Sequence, residues 1–284
     1  MQKGKELRAM KIMKLYRNFL LPTGLLAGTI IGAGVFALPY VFVRSGLAVG
    51  FFYLALAAVA YTVIHLLYAD VIVRTAGEHR FVGYARMYLG RFGGDIASVM
   101  VHGGNLFALT IYLVLSVSFA NLLFAGGADI LKLLIFWALG SAAIFFNLRE
   151  IALSELVVTA FMAGIIGFIF FLGFDRIGAL PAALFAAGGT YALAPLAPIL
   201  FALSGRVAVP AVVKYFKINH DSHDYRAIKK SVTIGTLFPV LVYAGFILGV
   251  IGLSSGGVSE DAVSGLISVV PPGLLTVVGV LGLL

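Results

Sequence analysis

The sequence contains no cysteine. That excludes a disulfide framework, a thiolate metal site and thiol catalysis. Charge is nearly as scarce, with 11% of residues charged, where a soluble domain carries roughly a quarter. Alternating apolar and polar segments, which would mark a membrane β-barrel, are missing; the apolar runs are continuous. No P-loop, nucleophile elbow or HExxH motif appears. Without a P-loop or a large soluble region, the chain has nothing with which to drive transport by ATP on its own. Paired titratable groups that could share one cavity are also missing, which argues against an intramembrane enzyme.

What remains is apolar. Hydrophobic residues make up 61% of the chain and the mean hydropathy is +1.07. A bilayer core of roughly 30 Å takes about 20 apolar residues of helix, and an α-helix satisfies its own backbone in lipid. The pattern predicts an all-α membrane protein with seven complete spans, near 18–43, 47–73, 95–124, 130–147, 153–174, 191–215 and 232–254, and an eighth beginning near Gly273. The basic N-terminus followed by an apolar run mimics a signal peptide, but the run is too long and lacks a clear cleavage site, so it reads as a retained first helix.

Lys and Arg are distributed unevenly. Residues 3–17, the loop 74–94, Arg149 and the segment 214–230 together hold 16 of the 20 basic residues; Arg44, Lys132 and Arg176 fall on the other side, and Arg206 lies within a span. The positive-inside rule then places the N-terminus and the loops 74–94 and 217–231 in the cytoplasm. The basic excess is a topology signal that also suits anionic lipid headgroups, and nucleic acid is not needed to explain it.

The first span contains "GTIIGAGVFALPY", residues 28–40. Glycine costs about 1 kcal/mol and proline about 3 kcal/mol in a helix interior relative to alanine. One reading is close packing, since Gly24, Gly28 and Gly32 follow a GxxxGxxxG spacing. The sixth span offers a second reading. It contains "FALSGRVAVP", residues 201–210, and in both spans a glycine precedes a proline by five residues, as "GVFALP" and "GRVAVP". Matched Gly/Pro interruptions in two halves of a chain point to the binding site of a secondary transporter. Pro39 is expected to free the carbonyl of Val35, and Pro210 that of Arg206. Gly32, Gly34 and Gly205 are expected to supply backbone angles closed to other residues. Half-helix N-termini suit a carboxylate and freed carbonyls suit an ammonium; an amino acid carries both. The candidate substrate-binding residues are Thr29, Ile30, Gly32, Ala33 and Gly34 in the first break and Ala202, Leu203, Ser204, Gly205 and Arg206 in the second. Asn105 and Tyr112, seven apart on one face of the third span, join them.

These motifs carry a resemblance. "GTIIGAGVFALPY" and "FALSGRVAVPAVVKYF" resemble the first- and sixth-helix motifs of the hydroxy/aromatic amino acid permeases, within the amino acid–polyamine–organocation superfamily. "GYARMYLGRFG" is similar to the loop between the second and third helices. "YRAIKKSVTIGTLFPVLVYAGFILGVIGL" is similar to the loop and seventh helix. The resemblance implies an inverted-repeat, leucine-transporter-type fold with discontinuous helices 1 and 6 and about eleven helices in all. It divides the chain into an N-terminal segment 1–17, a first repeat 18–174 and a partial second repeat 175–284, either a piece of a longer permease or an incomplete second repeat. Where the family has a histidine-ending pattern, this chain has Arg206. The implied function is secondary active transport of aromatic or other neutral amino acids across a prokaryotic plasma (inner) membrane, driven by H⁺ or Na⁺, with no cofactor. The alternative is an amino-acid sensor on the same fold that binds without transporting. Neither the particular amino acid nor the oligomeric state is legible.

The remaining polar groups read as structural. A charge in a span is costly, and Arg206 is either a functional group or a structural one that caps carbonyls or snorkels. His102 reads as a helix–helix hydrogen bond. His65 and Asp70, five apart, read as a polar network at the basic end rather than a proton relay. "NHDSHD", residues 219–224, reads as a solvated loop, and Glu155 as interfacial.

Overall fold

An apolar chain in lipid must pair its own backbone groups, and the helices follow from that requirement. The computed structural model describes residues 15–124, 126–142, 145, 148–178, 180–185, 191–219, 225–254, 257–267 and 269–283. The helices are α1 (Leu21–Ile30), α2 (Leu38–Ser45), α3 (Leu47–Arg74), α4 (Phe81–Leu123), α5 (Asp129–Ala142), α6 (Leu148–Ile177), α7 (Leu196–Ala202), α8 (Val209–Asn219), α9 (Tyr225–Leu253) and α10 (Pro272–Leu283). No strand occurs among the described residues. Among the described residues four helices are long and apolar enough to cross a membrane, and α1 with α2 forms a bent fifth.

α9 is the axis of the bundle. It packs against α6, α3, α1, α2 and α8, and half of its apolar window is buried, against 17–28% in the other three spans. The remaining spans turn large apolar side chains outward, as a lipid-facing surface requires: Phe52, Leu67, Phe107 and Phe171 are all exposed.

Three expectations are corrected. The segment 74–94 is not simply a loop. Helix begins at Phe81, and Gly90 (φ 71°, ψ −171°) breaks it into a short leading piece and the long third span. The left-handed φ is open to glycine and strained for other residues. Second, the sixth span does not start as helix at 191; residues 191–195 form turns before α7. Third, the stripe of Gly24, Gly28 and Gly32 is not a helix seam: a Cβ at Gly24 or Gly32 would meet nothing within 4 Å, and at Gly28 it would make ordinary contact with Thr159. Residues 1–14, the end of the fourth span, the side chains of Arg149 and Glu155 and most of "NHDSHD" lie outside the described residues.

The seam that depends on glycine joins α6 to α9. A Cβ at Gly249 would lie 2.6 Å from the Cα of Phe170, and one at Gly173 would lie 2.8 Å from the Cα of Gly249. Backbone meets backbone there, as small residues permit in membranes. Gly249→Val should therefore lower the melting temperature in detergent, by an overpacking cost of about 1–3 kcal/mol. Gly24→Ala, in open space, should leave it unchanged or raise it. Equal responses of the two variants would refute this seam.

Candidate functional site

α1 ends at Ile30, and Ile31 (φ −72°, ψ 97°) and Gly32 (φ −146°, ψ −167°) are extended. A 3₁₀ segment, Ala33–Ala37, leads into α2, and the two parts of the span bend by 50°. In the sixth span α7 ends at Ala202, residues 203–208 are turn or irregular, and α8 starts at Val209. Both helices are thus discontinuous, and the breaks touch: a Cβ at Gly34 would lie 2.9 Å from the Cα of Ala202, and one at Gly205 would collide with Ile30.

The chemistry of the breaks differs from the sequence reading. None of Gly32, Gly34 and Gly205 has a positive φ. Gly34 serves by lacking a side chain where it meets the backbone of Ala202, Gly205 by leaving room for the side chains of Ile30 and Leu26, and Gly32 borders open space. The prolines do not leave the named carbonyls free. The carbonyl of Val35 accepts from the N–H of Leu38, and that of Arg206 from the N–H of Val209 at 3.3 Å. Pro39 and Pro210 stand in the first turn of α2 and α8, where a missing N–H costs nothing. They start the second half-helices rather than break the first.

The carbonyls released are instead those of Ile30 and Ala202, each the last residue of its half-helix. The hydroxyl of Tyr243 on α9 reaches both, at 2.5 Å and 3.0 Å. One phenol proton serves two carbonyls from the two breaks, and the Gly32 backbone bonds the same oxygen. Tyr243 is fully buried. Tyr61 on α3 repeats the device, donating to the carbonyl of Leu200 in α7 at 2.6 Å. Neither tyrosine was legible as a site residue. The only signal was a polar tip inside an apolar run, which is common in membrane helices.

The named candidates separate into groups. Ile30, Gly34, Ala202, Leu203 and Gly205 are buried where the breaks meet. Gly32 and Ala33 are half-buried, and Ser204 is exposed. Thr29 is turned back on its own helix, donating to Leu25 O at 3.0 Å. Asn105 is exposed on α4, while Tyr112, two turns later and 41% exposed, lies within electrostatic reach of Tyr243. The Arg206 guanidinium lies over the ring of Phe81, 5.0 Å from its centroid, and within electrostatic reach of Tyr61 and Tyr68. His102 bonds Ser98 O of its own helix at 2.7 Å.

The basic segments meet at one end of the bundle. Tyr225 donates to Asp70 at 2.6 Å, and Arg74 pairs with the same carboxylate at 2.8 Å. Lys214 pairs with Glu78 at 2.8 Å, and Lys217 donates to Ile72 O at 3.2 Å. The Lys214 ammonium holds the Glu78 carboxyl below its usual range. His65 takes no part in this network. At the opposite end, burial alone would raise the Asp261 carboxyl, but hydrogen bonds from Ser264 and Ser259 outweigh it and hold it low. Between these ends, Phe36 just past the first break meets Phe119 and Phe246 edge to face, at 4.9 Å and 5.5 Å. It also borders a narrow apolar cavity lined by Ile166, Leu266 and Leu275 among others. Among the described residues no three His, Asp or Glu gather as metal ligands would.

Two helix breaks thus touch, and the carbonyls that end their first halves are bound by one tyrosine of a third helix. No curated protein matches the chain significantly. The model of the tryptophan/tyrosine permease family matches residues 16–267. The chain therefore belongs to the tryptophan/tyrosine permease family, multi-pass amino acid transporters rather than enzymes.

Proposed function

We propose that this permease is a secondary active transporter of aromatic or other neutral amino acids, driven by a gradient of H⁺ or Na⁺, on two inverted repeats of the amino acid–polyamine–organocation type. The observation that carries this reading is the contact of the two breaks, with Tyr243 bound to both. The second half-helices, led by Ala33–Ala37 and by α8, begin at the breaks, and their first N–H groups lack intrahelical partners. These ends favour a carboxylate. The ends of α1 and α7 present carbonyls and favour an ammonium. Gly32, with open space at its Cβ, gives the substrate room. The side chain of an aromatic substrate suits the phenylalanines beside the first break.

The test is uptake of labelled tryptophan and tyrosine by proteoliposomes holding the protein. Gradient-driven accumulation supports the reading. Binding without accumulation would support the sensor instead.

The reading also places the protein in a prokaryotic plasma membrane with its N-terminus and basic end in the cytoplasm. Because the native chain has no cysteine, a single cysteine introduced at Ser222 is free of background. It should resist a membrane-impermeant maleimide in intact cells and react in inverted vesicles. Labelling of intact cells would reverse the orientation.

A further inference from the structure

We propose that His65 is a proton-binding site through which a proton gradient biases the conformations of the broken helices; this rests on the transport reading above. The imidazole is fully buried between α3 and α9. Its Nδ1 lies 2.9 Å from Oγ1 of Thr236. That hydroxyl donates its single proton to the carbonyl of Val232 at 2.8 Å, so towards the imidazole it accepts. The ring therefore carries its proton on Nδ1, and Nε2 presents a lone pair. Nε2 is buried and has no hydrogen-bond partner among the described residues. An imidazole that served only to tie two helices together would need Nδ1 alone. A buried basic nitrogen left open is the exception that calls for a reason.

Its position supplies one. Tyr61, one turn earlier on α3 with its ring 5.6 Å away, holds Leu200 O just before the second break. Tyr243, two turns after Thr236 on the same face of α9, holds the carbonyls of both breaks. The imidazole thus bridges the two helices that grip the breaks. The partnered charged groups on the elements around α3 are engaged elsewhere, and Arg226 on α9 is exposed. On α3 itself Asp70 pairs with Arg74. On α9, Tyr225 bonds Asp70, Lys229 lies over Tyr225, and Lys230 lies over Phe19. On α8, Lys214 and Lys217 reach Glu78 and Ile72 O. Arg44 at the end of α2 bonds Tyr40, and Arg206 before α8 lies over Phe81.

The chemistry is one N–H bond made and broken. Hydronium gives up one proton to the Nε2 lone pair, its O–H bond breaking to leave water, and the ring becomes an imidazolium with two donors. Nδ1–H keeps Thr236, but Nε2–H finds no acceptor here, and an unpaired buried cation is strongly disfavoured. This conformation therefore excludes the proton. A conformation that turns Nε2 to water or to a carbonyl accepts it, and returning to the present one releases it. Two conformations that differ in proton affinity are shifted by the proton in proportion to that difference. Among the described residues the hydroxyls of Thr23, Ser231 and Ser254 are also buried without partners, but a hydroxyl is too weak a base to hold a proton.

The experiment uses the full chain in proteoliposomes and compares wild type with His65→Asn, whose amide keeps a donor for Thr236 but cannot titrate. Exchange of labelled tyrosine without a gradient should stay within about twofold of wild type, while accumulation driven by an inward proton gradient should fall about tenfold or more. Unchanged proton-driven accumulation in the variant, or wild-type accumulation that answers only to a sodium gradient, would overturn the proposal. Absence of exchange in wild type would overturn the transport reading itself, and the proposal with it. If His65→Asn does not fold, a pH-indicator dye decides the matter on wild type in detergent. Tyrosine addition should change the number of bound protons somewhere between about pH 5 and 8, and no change across that range overturns the proposal.

Discussion

Tyr243→Phe should unfold at a lower temperature than wild type and bind its amino acid about tenfold more weakly or worse. The variant keeps the ring, which is fully buried, and so removes only the hydroxyl. That hydroxyl is the shared partner of the Ile30 and Ala202 carbonyls. A buried carbonyl left unpaired costs about 1–3 kcal/mol, whereas interhelical hydrogen bonds in membranes average only about 0.6 kcal/mol because other partners step in. Two carbonyls therefore put the loss between about 1 kcal/mol, where other partners step in, and about 6 kcal/mol, where none does. The effect on binding follows from position. Without the phenol the two breaks lose their common anchor to α9, and the groups that would face the substrate lose their spacing. Tyr61→Phe serves as a comparison, since it frees one carbonyl, Leu200 O, in one break only. Its effect should be the smaller. A Tyr243→Phe protein that melts and binds as wild type would show that the hydroxyl does not hold the site.

Arg206→Ala should abolish or sharply reduce binding and uptake, by about tenfold or more, and leave the protein folded. The stability side is bounded by what the side chain touches. Its contact with Phe81 is a cation–π pair worth about 0.5–2 kcal/mol depending on exposure. The functional side follows from where the charge stands, in the stretch between α7 and α8 and beside Tyr61, which grips the end of α7. On the proposed transport reading, a cation there would either meet a substrate carboxylate or hold a fixed charge that a coupling cation would otherwise supply. Arg206→Lys separates the two, keeping the charge and losing the planar fork. Affinity and uptake in full-length protein, with monodispersity in detergent as the check on folding, are the measurements. An alanine variant that binds and transports normally would reduce Arg206 to a surface stacked on Phe81.

Composition alone determined the broad class of this protein. At 61% hydrophobic and 11% charged, with continuous apolar runs, the chain can satisfy its backbone in lipid only as helices. The same local reasoning located both breaks within a few residues, because Gly–x₄–Pro spacing violates helix propensity in two apolar runs. Local chemistry also explains the start of each second half-helix, since a proline in a first turn lacks only an N–H that has no helical partner there.

Tertiary structure decided what the breaks are made of. Which carbonyls are released depends on where each helix stops, and i+3 hydrogen bonds rescued the two that proline chemistry had singled out. Tyr243 lies more than two hundred residues from Ile30 in sequence, and nothing local marks it among other tyrosines. The α6–α9 seam likewise depends on Gly249 meeting Gly173 and Phe170, a matter of which faces turn together, while the more regular stripe Gly24, Gly28 and Gly32 meets almost nothing. His65 and Asp70 are near neighbours in sequence, yet five residues of helix turn them apart. One faces Thr236 in the packed interior and the other joins the charges at the basic end. Helix periodicity separates such residues, but only the packing of α9 against α3 determines which of them is sealed from water.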